Sequence, residues 1–383
     1  MPDNSRFIPF NQPRFVGAEM TNIADAVLVN HHISGGGKYA QRCESWLEKR
    51  FQVPRALLTH SCTAALEMSV LLADIGPGDE VIMPSFTFPS TANAVALRGG
   101  VPVFVDVEAD TMNISAGLIE PAITAETKAI LVVHYAGVCC DMGPIMDVAA
   151  KHGLLVIEDA AQSFLSKAGE HWSGTLGHLG CLSFHETKNV ISGEGGALLV
   201  NDPALIARAE YILEKGTNRR EMYRGEVDKY TWVDLGSSYI PSDLIAAFLL
   251  AQLEAADDIT HRRQSLHERY WQCLQRLEGK IGLPVRHADR HGNGHIFYLL
   301  AGSENERSAL IDFLRAENIQ AIFHFVPLHS SPAGKRYGRC GPNPLTVTED
   351  QAPRLLRLPM FYNLRGMDLD RVVQNIALFY DTV

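Results

Sequence analysis

The chain has 383 residues, 46% hydrophobic and 20% charged, which excludes a mainly disordered polypeptide. At roughly 150 residues per domain, that length implies about two to three domains. Its 44 acidic residues exceed its 34 basic ones, and the net charge of -10 excludes a broad polyanion-coating surface while leaving room for a local basic pocket.

The opening stretch MPDNSRFIPF lacks the charged-then-apolar pattern of a secretory signal. Apolar runs such as Ile245 to Ala251 are far shorter than the ~20 residues a membrane span needs. Seven cysteines (Cys43, Cys62, Cys139, Cys140, Cys181, Cys273 and Cys340) show no CxxC pair and no metal-ligand spacing. They read as reduced thiols, with Cys139 and Cys140 buried. The expectation is a cytoplasmic protein with no metal, nucleic acid or membrane partner.

In chain order, short runs rich in Val, Ile and Leu fall at 56–58, 81–83, 101–105, 129–133, 154–157, 181–184 and 197–200. Continuous apolar runs bounded by polar or glycine residues predict strands buried on both faces. Helical spacing occupies 63–72 and 144–152 between them. The alternation predicts an α/β domain whose mixed, mostly parallel sheet is flanked by helices. From Ser242 to about Glu278, Leu244, Ile245, Phe248, Leu249, Leu253 and Ala256 recur at helical spacing, and Asp243 suits the first turn. This long helix, interrupted near 257–260, is read as the inter-domain element. A strand at 296–300, a helix at 306–317, a strand at 321–326 and a helix at 368–380 then predict a smaller α+β domain. The predicted division is 1–245 and 246–383.

Three features carry chemistry. Val156-Ile157-Glu158-Asp159-Ala160-Ala161-Gln162 ends an apolar strand in two carboxylates. Ligands of parallel α/β sheets bind beyond such strand ends, so a carboxylate here can pair with a cationic ring nitrogen; a solvated cap fits the same pattern. Ser183-Phe184-His185-Glu186-Thr187-Lys188-Asn189 leads into Gly193-Glu194-Gly195-Gly196. A lysine in such a loop can be desolvated and act as a nucleophile, or it can be a surface lysine beside a turn. Leu58-Thr59-His60-Ser61-Cys62-Thr63-Ala64 turns a strand into a helix, and free N–H groups there suit a phosphate; Ser61 or Thr63 as a plain N-cap is the other reading. Together the three make a kit for pyridoxal phosphate: a cup, a ring-nitrogen carboxylate and a lysine. Pro84-Ser85-Phe86-Thr87-Phe88 adds rings that either stack on the pyridine or fill the core.

The sequence resembles the sugar aminotransferases of the DegT/DnrJ/EryC1/StrS family, within the fold-type I pyridoxal-phosphate enzymes, over nearly the whole chain. PSFTF (84–88), VDVEADTMNI (105–114), VHYAG (133–137), EDAAQ (158–162), SFHETKN (183–189), GEGGAL (193–198) and LPMFYN (358–363) carry the likeness. HETKN, EKGTNR (214–219) and VDKYTWVDLGSSY (227–239) carry a narrower one, to members that aminate C4 of a dTDP-linked 4-keto-6-deoxy sugar.

The resemblance implies that Lys188 bonds the cofactor and shuttles the proton, and that Asp159 pairs with the ring nitrogen. It further implies Gln162 on the 3-oxygen side, Thr63, Ala64 and Ser183 at the phosphate, and Phe88 rather than Phe86 on the ring. The family completes the phosphate site with an Asn from a partner subunit, in a G-x-N-Y-R-M stretch. Here Gly236-Ser237-Ser238-Tyr239-Ile240-Pro241 puts Ser238 at that place and lacks the Arg. In related dehydrases a histidine occupies the lysine position, so retention of Lys188 favours a transaminase. His185 is open between a site role and a structural one. The segment 215–229, with Lys215, Arg219 and Arg224, is the candidate grip for a substrate diphosphate, or else a solvated basic loop. His329 is a further candidate contact. The implied reaction uses L-glutamate and a dTDP-linked keto sugar in a homodimer with sites at the subunit interface. Amination at C3, amination on the opposite face of C4, and a non-catalytic cofactor-binding regulator are the alternatives.

Overall fold

The computed structural model describes residues 6–382. Its strands are β1 (Arg55–Thr59), β2 (Glu80–Pro84), β3 (Val101–Val105), β4 (Thr127–Val133), β5 (Leu155–Asp159), β6 (Lys167–Ala168) and β7 (His171–Trp172). They continue with β8 (Leu179–Ser183), β9 (Gly196–Val200), β10 (Arg290–His291), β11 (Phe297–Leu300), β12 (Ile322–Phe323), β13 (Arg339–Cys340) and β14 (Leu355–Leu358). Eight of them form the central sheet, in the order β1-β9-β8-β5-β4-β2-β3-β13. β9 runs antiparallel to β1 and β8, and the other neighbours are parallel. The sheet is therefore mixed and mostly parallel, as its apolar runs predict.

Both faces of the sheet are covered, which is why its strands read as continuous apolar runs. Val81, Met83, Leu131 and Ile157 pack with Leu66 and Val70 of the helix Cys62–Leu72. Ile82, Val103, Ile130 and Val156 pack on the other face with Ile145 and Ala149 of the helix Met142–His152. A third cluster joins Leu58, Leu182 and Leu199 to Leu47 and Phe51 of the helix Lys38–Phe51, and to Leu249 and Leu253 of the helix Asp243–Glu254. The buried Asp243 carboxylate accepts the N–H groups of Tyr39 and Ala40 (3.3 and 2.8 Å), so it caps that neighbouring helix as well as suiting its own dipole.

The antiparallel sheet β11-β14-β12 forms a second centre. Phe297, Leu299, Leu356 and Leu358 pack against Tyr270, Leu310, Leu314, Val372 and Ile376 from three helices. These are Ala256–Leu274, Glu304–Ala316 and Gly366–Thr382.

Several boundaries differ from the sequence reading. The long helix breaks at Ala255 rather than at 257–260, because Asp257 and Asp258 occupy the first turn of the next helix. The strand expected at 321–326 is only Ile322–Phe323. β5 runs through both carboxylates instead of stopping before them. β13, which lies beyond residue 245, completes the edge of the large sheet, and Arg339 there grips Glu80 of β2 with two bonds of 2.6 Å. Among the described residues, no helix is long and apolar enough to cross a membrane.

Candidate active site

A cleft of about 1140 Å³ opens at the carboxyl ends of β1, β5 and β8. Its floor is the turn from β1 into the helix Cys62–Leu72. Ser61 is extended (φ -163°) and its Oγ accepts the Ala64 N–H at 3.1 Å. Both N-cap and open cup are thus realised: Ser61 caps, while the helix N-terminus still faces the cleft with Thr63. Thr63 Oγ1 lies 2.8 Å from Ser90 Oγ, a second hydroxyl that the sequence reading passed over. Ala64 is buried behind this surface, its N–H already used by Ser61. Ser183, at the end of β8, is also in the wall.

Strand alternation separates the acidic pair. Glu158 points away from the cleft and accepts N–H groups from Gly174, Leu176 and Gly177 (2.9, 2.7 and 2.5 Å). It also meets His134 Nε2 at 2.7 Å. Because His134 Nδ1 accepts the Cys140 N–H, Nε2 carries the proton toward Glu158. Asp159 points into the cleft. Its oxygens accept from Thr91 Oγ1 (2.8 Å) and the Ala161 N–H (3.1 Å), and Thr87 supports Thr91 at 2.9 Å. Neither carboxylate is a solvated cap. Burial raises the Asp159 carboxyl above its ordinary 3.8, although Thr91, Ala161 and Lys188 pull it down.

Lys188 sits in the loop after β8, its N–H bonded to the His185 carbonyl at 2.8 Å. Burial lowers its amine below the ordinary 10.5, and the Arg357 charge adds to that; Cys62 and Asp159 act in the opposite sense. Gln162 lines the cleft with its Oε1 on the Ala136 N–H at 2.9 Å. Phe88 is exposed toward the cleft, its ring 6.1 Å from that of Phe325. Phe86 is fully buried against Tyr135 and Phe325, so it belongs to the core. His185 stands at the mouth, its Nδ1 2.8 Å from Thr187 Oγ1 and its Nε2 3.8 Å from Glu194.

Five other candidates do not reach this cleft within the chain. Arg224 is held by Glu210 and Glu226 at 2.7 and 2.8 Å. Arg219 lies over Tyr223 and 3.9 Å from Glu214, and Lys215 and Ser238 are exposed. The neighbouring Arg220 is held by Glu44 and Glu214. Arg220 and Arg224 of the basic segment are thus paired with carboxylates, mostly from outside it: Glu44, Glu210, Glu214 and Glu226. His329 is taken by Ser85 (2.6 Å) and Glu349 (3.3 Å). The far wall of the cleft includes Arg263, His295, His324 and Arg357, which sequence reasoning missed. The one signal was position: Arg357 directly precedes the LPMFYN motif.

A lysine pushed toward its neutral amine, lining one cleft with a buried carboxylate, is what a protonated pyridine cofactor requires of an aminotransferase. The chain belongs to the DegT/DnrJ/EryC1/StrS aminotransferase family, whose profile matches residues 15–377. It is 33% identical over 387 aligned positions to the spore coat polysaccharide biosynthesis protein SpsC of Bacillus subtilis (strain 168), covering 97% of each. Its fold matches the aminotransferase TlmJ from Streptoalloteichus hindustanus with a TM-score of 0.90 and 28% identity, over 98% of this chain and 100% of that one. A family member from Brucella abortus matches with a TM-score of 0.86 and 31% identity, over 94% and 95% of the two chains. The protein is therefore an aminotransferase with pyridoxal 5′-phosphate as cofactor. The donor set fits that group: hydroxyls at a helix N-terminus, a buried carboxylate and a desolvated lysine share one cleft.

Proposed function

We propose that this enzyme moves an amino group from L-glutamate to C4 of dTDP-4-keto-6-deoxy-D-glucose, giving dTDP-4-amino-4,6-dideoxy-D-galactose. The observation that carries the amine chemistry is Lys188 and Asp159 lining the same cleft. The narrower sequence likeness supports C4 and the dTDP sugar. The name of SpsC, a polysaccharide biosynthesis protein, supports an amino sugar destined for a cell-surface polymer.

When bound, pyridoxal phosphate supplies an electrophilic carbon and an electron-withdrawing ring. Asp159, oriented by Thr91 and the Ala161 N–H, would hold the proton on the ring nitrogen. Lys188 Nζ takes the proton from the donor Cα and, in the reverse half, returns one to sugar C4. Its lowered pKa increases the neutral fraction that can accept a proton. Ser61, Thr63, Ser90 and Ser183 would hold the phosphate without any formal charge, and Gln162 and Phe88 would hold the ring. In this reading 1–245 holds the cofactor and 246–383 supplies the opposite wall. Lys215, Arg219 and Ser238 serve the cleft of a partner subunit in a homodimer.

Lys188→Ala should lose both turnover and the visible absorbance band of the holoenzyme; a variant that keeps both sinks the assignment. NMR of the product from the keto sugar and glutamate tests the rest. An amino group at C3, or the gluco configuration at C4, would replace this substrate reading. Absence of any spectral change with glutamate would favour a binding protein without turnover.

A further inference from the structure

Resting on the reading of Lys188 as the reacting amine and deepening it, we propose that Asn189, Asn293 and His295 are positioning residues. A turn from the second half of the chain grips the residue after Lys188 and holds the lysine's loop against the segment that carries Gln162. That turn, Gly292-Asn293-Gly294-His295, lies outside the motifs that carry the family likeness.

The turn binds in two directions at once. Toward Gln162, Asn293 Nδ2 donates to the carbonyls of Gln162 (3.0 Å) and Phe164 (2.9 Å). Toward Lys188, the Asn293 carbonyl accepts from Asn189 Nδ2 at 3.0 Å, and His295 Nδ1 lies 3.1 Å from Asn189 Oδ1. Asn293 Oδ1 closes the turn on the His295 N–H at 3.0 Å. All three side chains are buried. Because Asn189 Nδ2 donates to Asn293, its Oδ1 accepts, which puts the proton on His295 Nδ1. Burial lowers the His295 pKa well below its ordinary 6.5 and so keeps the ring a neutral donor. A buried network with its bonds made fixes one arrangement.

The surroundings leave room for this turn and hold it from behind. A Cβ on Gly137 would stand 2.1 Å from Asn293 Oδ1. Gly294 has a φ of +63°, and a Cβ there would stand 2.7 Å from the Arg263 backbone. Arg263 donates to the carbonyls of Gly294 and His295 at 3.0 and 2.5 Å. The lysine loop, by contrast, bonds its backbone to itself. The N–H groups of Glu186, Lys188 and Ser192 go to the carbonyls of Gly193, His185 and Phe184. Those bonds set the loop's shape, whereas the Asn189 bonds set where it sits. Lys188 and Gln162 line the same cleft, so the turn fixes their spacing. An error of about 1 Å in such a spacing can cost ~100-fold in rate.

The test compares the wild type with His295→Leu, Asn189→Ala and His295→Asn, whose amide N–H replaces Nδ1. Leu314→Ala, which loosens the core of the smaller sheet, is the stability control. Mixing cofactor-free protein with pyridoxal phosphate gives the rate at which the visible band forms against pH, and that rate needs the neutral Lys188 amine. His295→Leu and Asn189→Ala should raise its midpoint by about one pH unit, because a loosened loop admits water to an amine whose pKa burial lowers. With saturating L-glutamate, the two holoenzymes should bleach the band ~10–100-fold more slowly, with the half-saturating concentration within about threefold. His295→Asn should restore the wild-type midpoint and most of the rate, and Leu314→Ala should lower the melting temperature without moving either. Unchanged values in both loop variants, or an equal shift in Leu314→Ala, would overturn the proposal. If the Leu and Ala variants do not fold, ¹⁵N NMR of the wild-type His295 ring decides, its signal assigned by loss in His295→Asn. The proton should stay on Nδ1 from about pH 6 to 9, and a proton on Nε2 instead would overturn the proposal. A Lys188→Ala protein that still forms the band would remove the underlying reading. That result is separable from loop variants that match a wild type dependent on Lys188.

Discussion

Adjacent carboxylates at the end of β5 meet opposite surroundings. Glu158 is saturated by three N–H groups and a histidine, whereas Asp159 faces the cleft with two donors and a raised pKa. The folded chain holds the Asp159 proton more tightly than the unfolded chain does. The stability tied to that proton is full below pH 3.8 and is lost as pH rises through the folded value. In the cofactor-free protein, Asp159→Asn should therefore melt higher than the wild type at pH 7. The amide can still accept from Ala161 and donate to Thr91. The gap should close as pH falls toward 4, and a variant that melts lower at pH 7 would contradict this. Position at a strand end made Asp159 legible in the sequence. Which of the two acids faces the ligand came from the family resemblance, and the strand's alternation supplies its physical reason. Thr91, Ser90 and Arg357 were passed over for another reason: each stands just outside a recognisable motif, PSFTF or LPMFYN, rather than in it.

At the scale of elements, the phosphate cup depends on how closely β9 passes the start of the helix Cys62–Leu72. A Cβ on Gly196 would stand 2.5 Å from the Cys62 nitrogen and 2.6 Å from the Ser61 oxygen, both backbone atoms that cannot swing aside. Gly196→Ala should destabilise the fold by roughly 1–3 kcal/mol and shift the helix N-terminus off the phosphate. Urea melts and a visible-absorbance titration of cofactor read the two effects. Gly143→Ala is the control: nothing lies within 4 Å of its Cβ, and in a helix the change should be neutral or gain up to about 1 kcal/mol. Equal behaviour of the two variants would remove the close-approach argument. Seven strands of the large sheet and the helices Cys62–Leu72 and Met142–His152 were legible, as continuous apolar runs and as helical spacing. Within one chain Arg220 of the basic segment is paired with Glu44, far away in sequence, a contact that no local pattern announces.

At the scale of the molecule, the large sheet and its helices account for most of what composition and periodicity implied. The return of the chain to that sheet as β13 was not foreseeable, since two residues carry no periodic signal. Arg339 and Glu80 tie this strand across the sheet edge. A chain stopped after residue 245 would leave β3 with an open edge and strip the cleft of its far wall. Such a fragment should scatter light as aggregates rather than melt as one unit, and a monodisperse, cooperatively melting fragment would show that β13 is dispensable.

The same returning strand sets a timetable for synthesis. Roughly 240 residues separate Val101 from Arg339. At ~5–20 residues per second, β3 would wait on the order of 10–50 s on the ribosome before its partner emerges. For that interval β3, paired with β2 on one side, carries an open edge on the other.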